Sequence, residues 1–167
     1  SENAWHDKGL AYHRLGNYTE SIACCDKVTK LNSKYHNAWN LKGLAYDNLK
    51  NHKKAIVCYD KVIRIDPKNE RVWYDKGVTY HDLKNYKKAI ACYDKAIEID
   101  AKYDSAWYNK GLAYHRLGNY AESIACYDKA TEINPKDENA WHNKGQAYYN
   151  LKNYKKAIAC HDKAIKI

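Results

Sequence analysis

Tryptophan stands at Trp5, Trp39, Trp73, Trp107 and Trp141, and every interval between them is 34 residues, without an insertion or deletion. A spacing kept that strictly is an internal repeat, so the chain must be built from one small unit used five times. Gly follows each Trp by four residues (Gly9, Gly43, Gly77, Gly111, Gly145) and Tyr follows by seven (Tyr12, Tyr46, Tyr80, Tyr114, Tyr148). Leu follows by ten, at Leu15, Leu49, Leu83, Leu117 and Leu151. Offsets of 0, 4, 7 and 10 lie on one stripe of an α-helix and contradict the two-residue alternation of a strand. Each unit therefore opens with a helix, A, whose apolar stripe runs from the Trp to the Leu.

Asn17, Asn51, Asn85, Asn119 and Asn153 then hold the same place in all units. Asn tolerates a left-handed backbone and also caps helix N-termini, and either role puts a turn here. Glu20 and Glu122, three residues after Asn17 and Asn119, predict a capping box in repeats one and four. A second helix, B, follows. Its apolar positions are Ile22, Val28 and Leu31 in the first unit and Ala89, Tyr93, Ala96 and Ile99 in the third. Pro67 and Pro135 end helix B in repeats two and four, because proline cannot continue a helix; Ser33 and Ala101 replace them elsewhere.

The pattern W-x3-G-x2-Y, then a small residue, an aromatic and a Pro, on a 34-residue helix-turn-helix unit, resembles the tetratricopeptide repeat. The small place is Ala55, Ala89 and Ala157, with Ser21 and Ser123 in the other units, and the aromatic place is Tyr59, Tyr93 and Tyr127. The resemblance covers essentially the whole chain. It implies an all-α fold: a right-handed α-solenoid of five helix-turn-helix repeats, about ten antiparallel helices, with repeats at 2–35, 36–69, 70–103, 104–137 and 138–167. Two departures stand out. Lys8, Lys42, Lys76, Lys110 and Lys144 occupy the place before Gly where the family usually has Leu, and Cys25 and His161 replace the aromatic in the first and last repeats. Repeats one and four share AYHRLGNY, and repeats two and five share KKAI, which predicts a duplication of three units and a fragment of a longer repeat protein.

The resemblance implies that the A helices line a concave groove, with residues at Trp−2, +1, +2, +5, +8 and +9 facing it. Candidate partner-binding residues are Asn3, His6, Leu10, His13 and Arg14 in repeat one and Asn37, Asn40, Leu44, Asp47 and Asn48 in repeat two. Repeat three adds Arg71, Tyr74, Val78, His81 and Asp82; repeat four adds Tyr108, Leu112, His115 and Arg116; repeat five adds Asn139, His142, Gln146, Tyr149 and Asn150. Aromatics supply contact area and amides pair with peptide groups, so this lining suits an extended peptide or an amphipathic helix of a partner protein. Leu10, Leu44, Val78 and Leu112 fit inter-helix packing equally well, and Tyr74, His81, Tyr108 and His115 are the expected central contacts. The set of Lys and Asn that some family members use to clamp chaperone carboxylates is missing, so binding of such a tail is not expected.

The net charge of +9 raises anionic partners. The groove positions nearly balance, and the excess gathers at the turns, as in Lys50, Lys53, Lys54, Lys84, Lys87, Lys88, Lys152, Lys155 and Lys156. Aromatic residues are sparse along that edge, so nucleic acid is not the expected ligand, though anion binding there remains an alternative. One Cys per repeat (Cys24, Cys58, Cys92, Cys126, Cys160) reads as small-residue packing, because neighbouring helices lie too far apart for disulfides and no Cys-x2-Cys pair exists. No catalytic constellation, cofactor motif, metal set or membrane span is expected, and a reducing cytoplasm is the expected compartment. A further alternative is a module that stacks with itself through uncapped repeat ends.

Overall fold

The computed structural model describes all 167 residues. Ten helices follow one another: α1 Glu2–Arg14, α2 Tyr18–Leu31, α3 His36–Asn48, α4 His52–Ile65, α5 Glu70–Asp82, α6 Tyr86–Ile99, α7 Asp104–Arg116, α8 Tyr120–Ile133, α9 Glu138–Asn150 and α10 Tyr154–Ile165. Odd-numbered helices are the A helices and even-numbered ones the B helices. They fall into two compact units, Ser1–Leu83 with α1–α5 and Lys84–Ile167 with α6–α10.

Each turn from A to B is closed by the residue pair before helix B. In repeat one, Gly16 N–H donates to His13 O (3.0 Å) and Asn17 N–H to Tyr12 O (2.9 Å), and repeats two, four and five make the same two bonds. This is the Schellman arrangement, in which the left-handed residue sits one place before Asn. Gly16 and Gly118 adopt φ of 78° and 77°, while Lys50, Lys84 and Lys152 adopt 60°, 58° and 59°. Asn is thus the cap of helix B and not the left-handed residue. Its side chain accepts from Lys54 N, Lys88 N and Lys156 N in repeats two, three and five. In repeats one and four Asn17 and Asn119 make no side-chain cap bond, so the predicted capping box does not form there.

The turn from B to the next A uses a different device. Asn32, Asp66, Asp100 and Asn134 each accept from the backbone N–H two residues on, at 2.9–3.3 Å. The following Trp then donates its indole N–H to the carbonyl of Ser33, Pro67, Ala101 or Pro135. Because the indole needs only a carbonyl, Ser33 and Ala101 serve as well as Pro.

Packing follows the small residues. Across α3, α4 and α5, Ala55, Tyr59, Val62 and Val72 form a fully buried cluster against Trp39, Leu44, Tyr46 and Ile63. Tyr59 fits because Gly43 leaves room: a Cβ there would lie 2.6 Å from the ring, and Gly111 stands in the same relation to Tyr127 at 2.7 Å. All six cysteines are buried free thiols. The Leu at Trp+10 departs from the expected stripe. Leu15, Leu49, Leu83, Leu117 and Leu151 lie just past the ends of their helices and are exposed, as are Leu31 and Ile99 at the ends of helix B.

The Lys that replaces Leu before each Gly finds its partner across the helix-B-to-helix-A junction. Lys42 meets Asp26, Lys76 meets Asp60, Lys110 meets Asp94 and Lys144 meets Asp128, all at 2.5–2.6 Å. These lysine side chains are only 13–15% exposed. Each ammonium also lies over the Trp of its own helix, at 5.0, 5.5, 5.2 and 4.6 Å from the ring centroid.

Candidate A-helix interaction surface

Within the first unit α1 lies beside α3 and α3 beside α5; within the second, α7 lies beside α9. The positions proposed as groove-facing therefore form surface strips on neighbouring A helices. Asn3, Arg14, Asn37, Asn48, Arg71, Asp82, Arg116, Asn139, His142, Gln146, Tyr149 and Asn150 are exposed. His6, Leu10, His13, Asn40, Leu44, Asp47, Tyr74, Val78, His81, Tyr108, Leu112 and His115 are half-buried.

Half-burial here comes from specific neighbours. Between α1 and α3, His6, Leu10, Asn37, Asn40, Leu41 and Leu44 line a depression of about 200 Å³. The Asn40 Oδ1 is buried with no hydrogen-bond partner. Leu44 also packs against the core cluster, so it serves both surface and core, whereas Leu41 is buried outright. Between α7 and α9, Asn143 Nδ2 donates to the Tyr108 hydroxyl (2.9 Å) and Asn150 Nδ2 lies 3.1 Å from His115 Nε2. Tyr108 rests against Tyr127 at 5.9 Å, and burial, with the Asp137 charge adding to it, pushes its hydroxyl above the ordinary range. Burial lowers the pKa of His13, and burial with the Arg116 charge lowers that of His115, which favours neutral imidazoles near neutral pH.

Two charges that looked free in sequence are internally paired. Arg71 Nε donates to both carboxylate oxygens of Asp75, at 3.0 and 3.2 Å, and Asp75 is buried. Burial raises its pKa, and the Arg71 charge and hydrogen bond act against that rise. Asp47 holds His52 Nδ1 at 2.7 Å.

A row of residues at the start of the B helices walls this surface. The residue at Trp+8 packs on the first residue of helix B, at Trp+13: His13 on Tyr18 (5.2 Å), His115 on Tyr120 (5.1 Å) and Tyr149 on Tyr154 (5.3 Å), with Asp47 and His52 in the same places. The signal was present, since Trp+13 is Tyr or His in every unit. The lysine turns are partly tied as well. Lys54 and Lys156 lie over Tyr46 and Tyr148, each 5.3 Å from the centroid.

A model described as tetratricopeptide repeat matches residues 2–35, 36–69, 105–137 and 138–167, and two further repeat models match 58–91 and 79–118. The chain belongs to the tetratricopeptide repeat family. Among curated proteins no relative matches. Among solved structures it is similar to MamA, at 23% identity over 95% of this chain and 92% of that one, with a TM-score of 0.89. It is similar too to MamA residues 41 to end from Desulfovibrio magneticus RS-1, at 20% identity over 99% and 93%, with a TM-score of 0.91. A third is YrrB, described as a TPR protein with an unusual peptide-binding site, at 23% identity over 97% and 84%, with a TM-score of 0.81. These likenesses place the chain among all-α solenoids of repeats. Within the tetratricopeptide pattern, Lys in the Leu place before Gly is accounted for by its Asp partner in the preceding repeat.

Proposed function

We propose that this tetratricopeptide repeat chain is a protein-interaction scaffold that binds an extended peptide segment of a partner on its A-helix surface, seated first in the depression between α1 and α3. The observation that carries the reading is Asn40. A buried carbonyl oxygen without a partner is costly, and a peptide N–H laid along the depression would satisfy it. Leu10 and Leu44 offer the peptide an apolar wall, His6 adds an aromatic face, and Asn37 supplies an exposed amide at the rim. A cavity of about 200 Å³ suits one apolar side chain with its flanking backbone. YrrB, similar in fold, carries a peptide-binding site by its description, which agrees with this class of ligand.

Selection from a phage-displayed random peptide library, followed by calorimetric titration of the selected peptides, tests this. Asn40→Ala should weaken binding by about tenfold, the loss of one well-made hydrogen bond in a buried setting. The melting temperature should stay unchanged, because that oxygen makes no bond in the free protein. Equal affinity for the variant, or a library that yields no binder, sinks the assignment. Since no lysine, arginine or carboxylate lines this site, affinity should also vary little with salt.

A further inference from the structure

Away from the A-helix surface, a second kind of depression recurs in the repeats. In repeat two, Trp39, Lys42, Tyr46, Lys54, Val57 and Cys58 line a cavity of about 270 Å³, and Lys53 lines it too. In repeat five the residues at the same six places, Trp141, Lys144, Tyr148, Lys156, Ala159 and Cys160, line one of about 210 Å³. Repeat two has helices packed on both sides, α2 against α3 and α5 against α4, so this opening belongs to the surface of the repeat itself. On α3, Trp39, Lys42 and Tyr46 share one stripe, and Asn40 and Leu44 lie on another side of the helix.

The walls of the cavity are aromatic and aliphatic, and its rim is basic. Trp39 and Tyr46 pack on the core cluster, and Val57 beside them is 57% exposed. Lys42 has its charge met by Asp26, as one rung of the Lys–Asp ladder that joins the repeats. Lys53 and Lys54 are exposed, and the Lys54 ammonium lies 5.3 Å from the centre of the Tyr46 ring. We propose that this cavity binds an acidic peptide segment of a partner protein, an apolar side chain entering beside Tyr46 and Val57 while flanking carboxylates meet Lys53 and Lys54. Charge complementarity selects the occupant, since the lining holds lysines and no acidic residue. Nucleic acid fits less well, because ammonium groups already stand over Trp39 and Tyr46, where a base would stack. The chain carries its own contrast. At the places of Lys53 and Lys54, repeat one has Thr19 and Glu20 and repeat four has Ala121 and Glu122, so those repeats should refuse an acidic segment. The site is separate from the depression between α1 and α3, and neither assignment rests on the other.

Nitrogen–proton NMR correlation spectra of the isotope-labelled chain, read at the tryptophan indoles, test this. The probe is a synthetic peptide with one leucine between paired glutamates. It should shift the indole signals of Trp39 and Trp141 at low salt and leave those of Trp5 and Trp107 in place, with affinity falling as salt is raised. Lys53→Thr with Lys54→Glu gives repeat two the residues that repeat one carries there, a pair this fold already accommodates. That exchange should weaken binding at Trp39 by about tenfold and leave the Trp141 response unchanged. The reverse exchange, Ala121→Lys with Glu122→Lys, should bring Trp107 into response. Asn40→Ala should change nothing here, which separates this site from the depression between α1 and α3. Absence of any shift at millimolar peptide overturns the proposal, as does a Trp39 response that the Lys53 and Lys54 exchange leaves unchanged. So does equal binding of the peptide with lysines in place of its glutamates. Tighter binding of a short oligothymidylate would assign the site to nucleic acid and overturn the proposal as well.

Discussion

A lysine in a left-handed turn is held there against its own preference. Lys50, Lys84 and Lys152 take the φ near 60° that Gly16 and Gly118 take freely. For a side-chain-bearing residue that conformation costs about 1–2 kcal/mol, part of which glycine gives back in unfolded-state entropy. Lys50→Gly should therefore stabilise the fold by about 0.5–1 kcal/mol in urea titration, and Gly118→Ala should destabilise it by about as much. The caps predict a second contrast. The Asn51 side chain accepts from Lys54 N and the Asn17 side chain makes no cap bond, so Asn51→Ala should cost about 1 kcal/mol and Asn17→Ala distinctly less. Equal costs would mean that the Asn17 side chain closes the cap in solution. Sequence marked Asn as the turn but not which residue turns left-handed, because Asn can do either and the backbone bonds to Tyr12 and its equivalents decide.

At the scale of elements, the ladder explains why a charged residue is tolerated where this family usually packs leucine. Lys110 is 15% exposed and Asp94 43%, so the carboxylate keeps some water while the ammonium depends on its partner. Burial works against the charged lysine, but the hydrogen bond and charge of Asp94 outweigh it, and the net pKa is raised. A raised lysine pKa means stability that is complete below the ordinary lysine range and lost as pH climbs through the folded value. Asp94→Ala should cost about 1–2 kcal/mol in denaturant titration, and Lys110→Leu made on that background should recover much of it, since the buried charge goes with it. No recovery would show that the Lys stem packs in a way Leu cannot. Both residues recur in every repeat of the sequence, yet their pairing lies across the junction between repeats, 16 residues apart, where helical periodicity carries no information.

Across the whole molecule, the cysteines set the alkaline limit. Burial, the largest cause in each case, pushes Cys25 up to about 12 and Cys58 and Cys126 to about 11. In the unfolded chain these thiols ionise from about pH 8.5, and in the fold they stay neutral, so unfolding releases protons and stability falls as pH rises. Each such thiol should remove about 1.4 kcal/mol per pH unit above that point until its folded value is reached. Thermal melts under reducing conditions from neutral to strongly alkaline pH should show the decline; a flat profile would mean that the thiols already meet water in the native state. The repeat, its two helices and the turn between them were legible in the chain, because offsets of 4 and 7 and a strict 34-residue period encode backbone geometry that each unit adopts locally. Gly43 against Tyr59 recurs as Gly111 against Tyr127, because both residues of each pair belong to one hairpin. What lay beyond the sequence was what depends on the neighbouring element: Leu15 left in water, Asp75 buried, Tyr18 and Tyr120 packed on His13 and His115, and each lysine from Lys42 on matched to an aspartate of the preceding repeat. Periodicity assigns a residue to a face of its own helix, but burial and pairing arise only when a second helix arrives at a particular angle, and that angle is a product of packing.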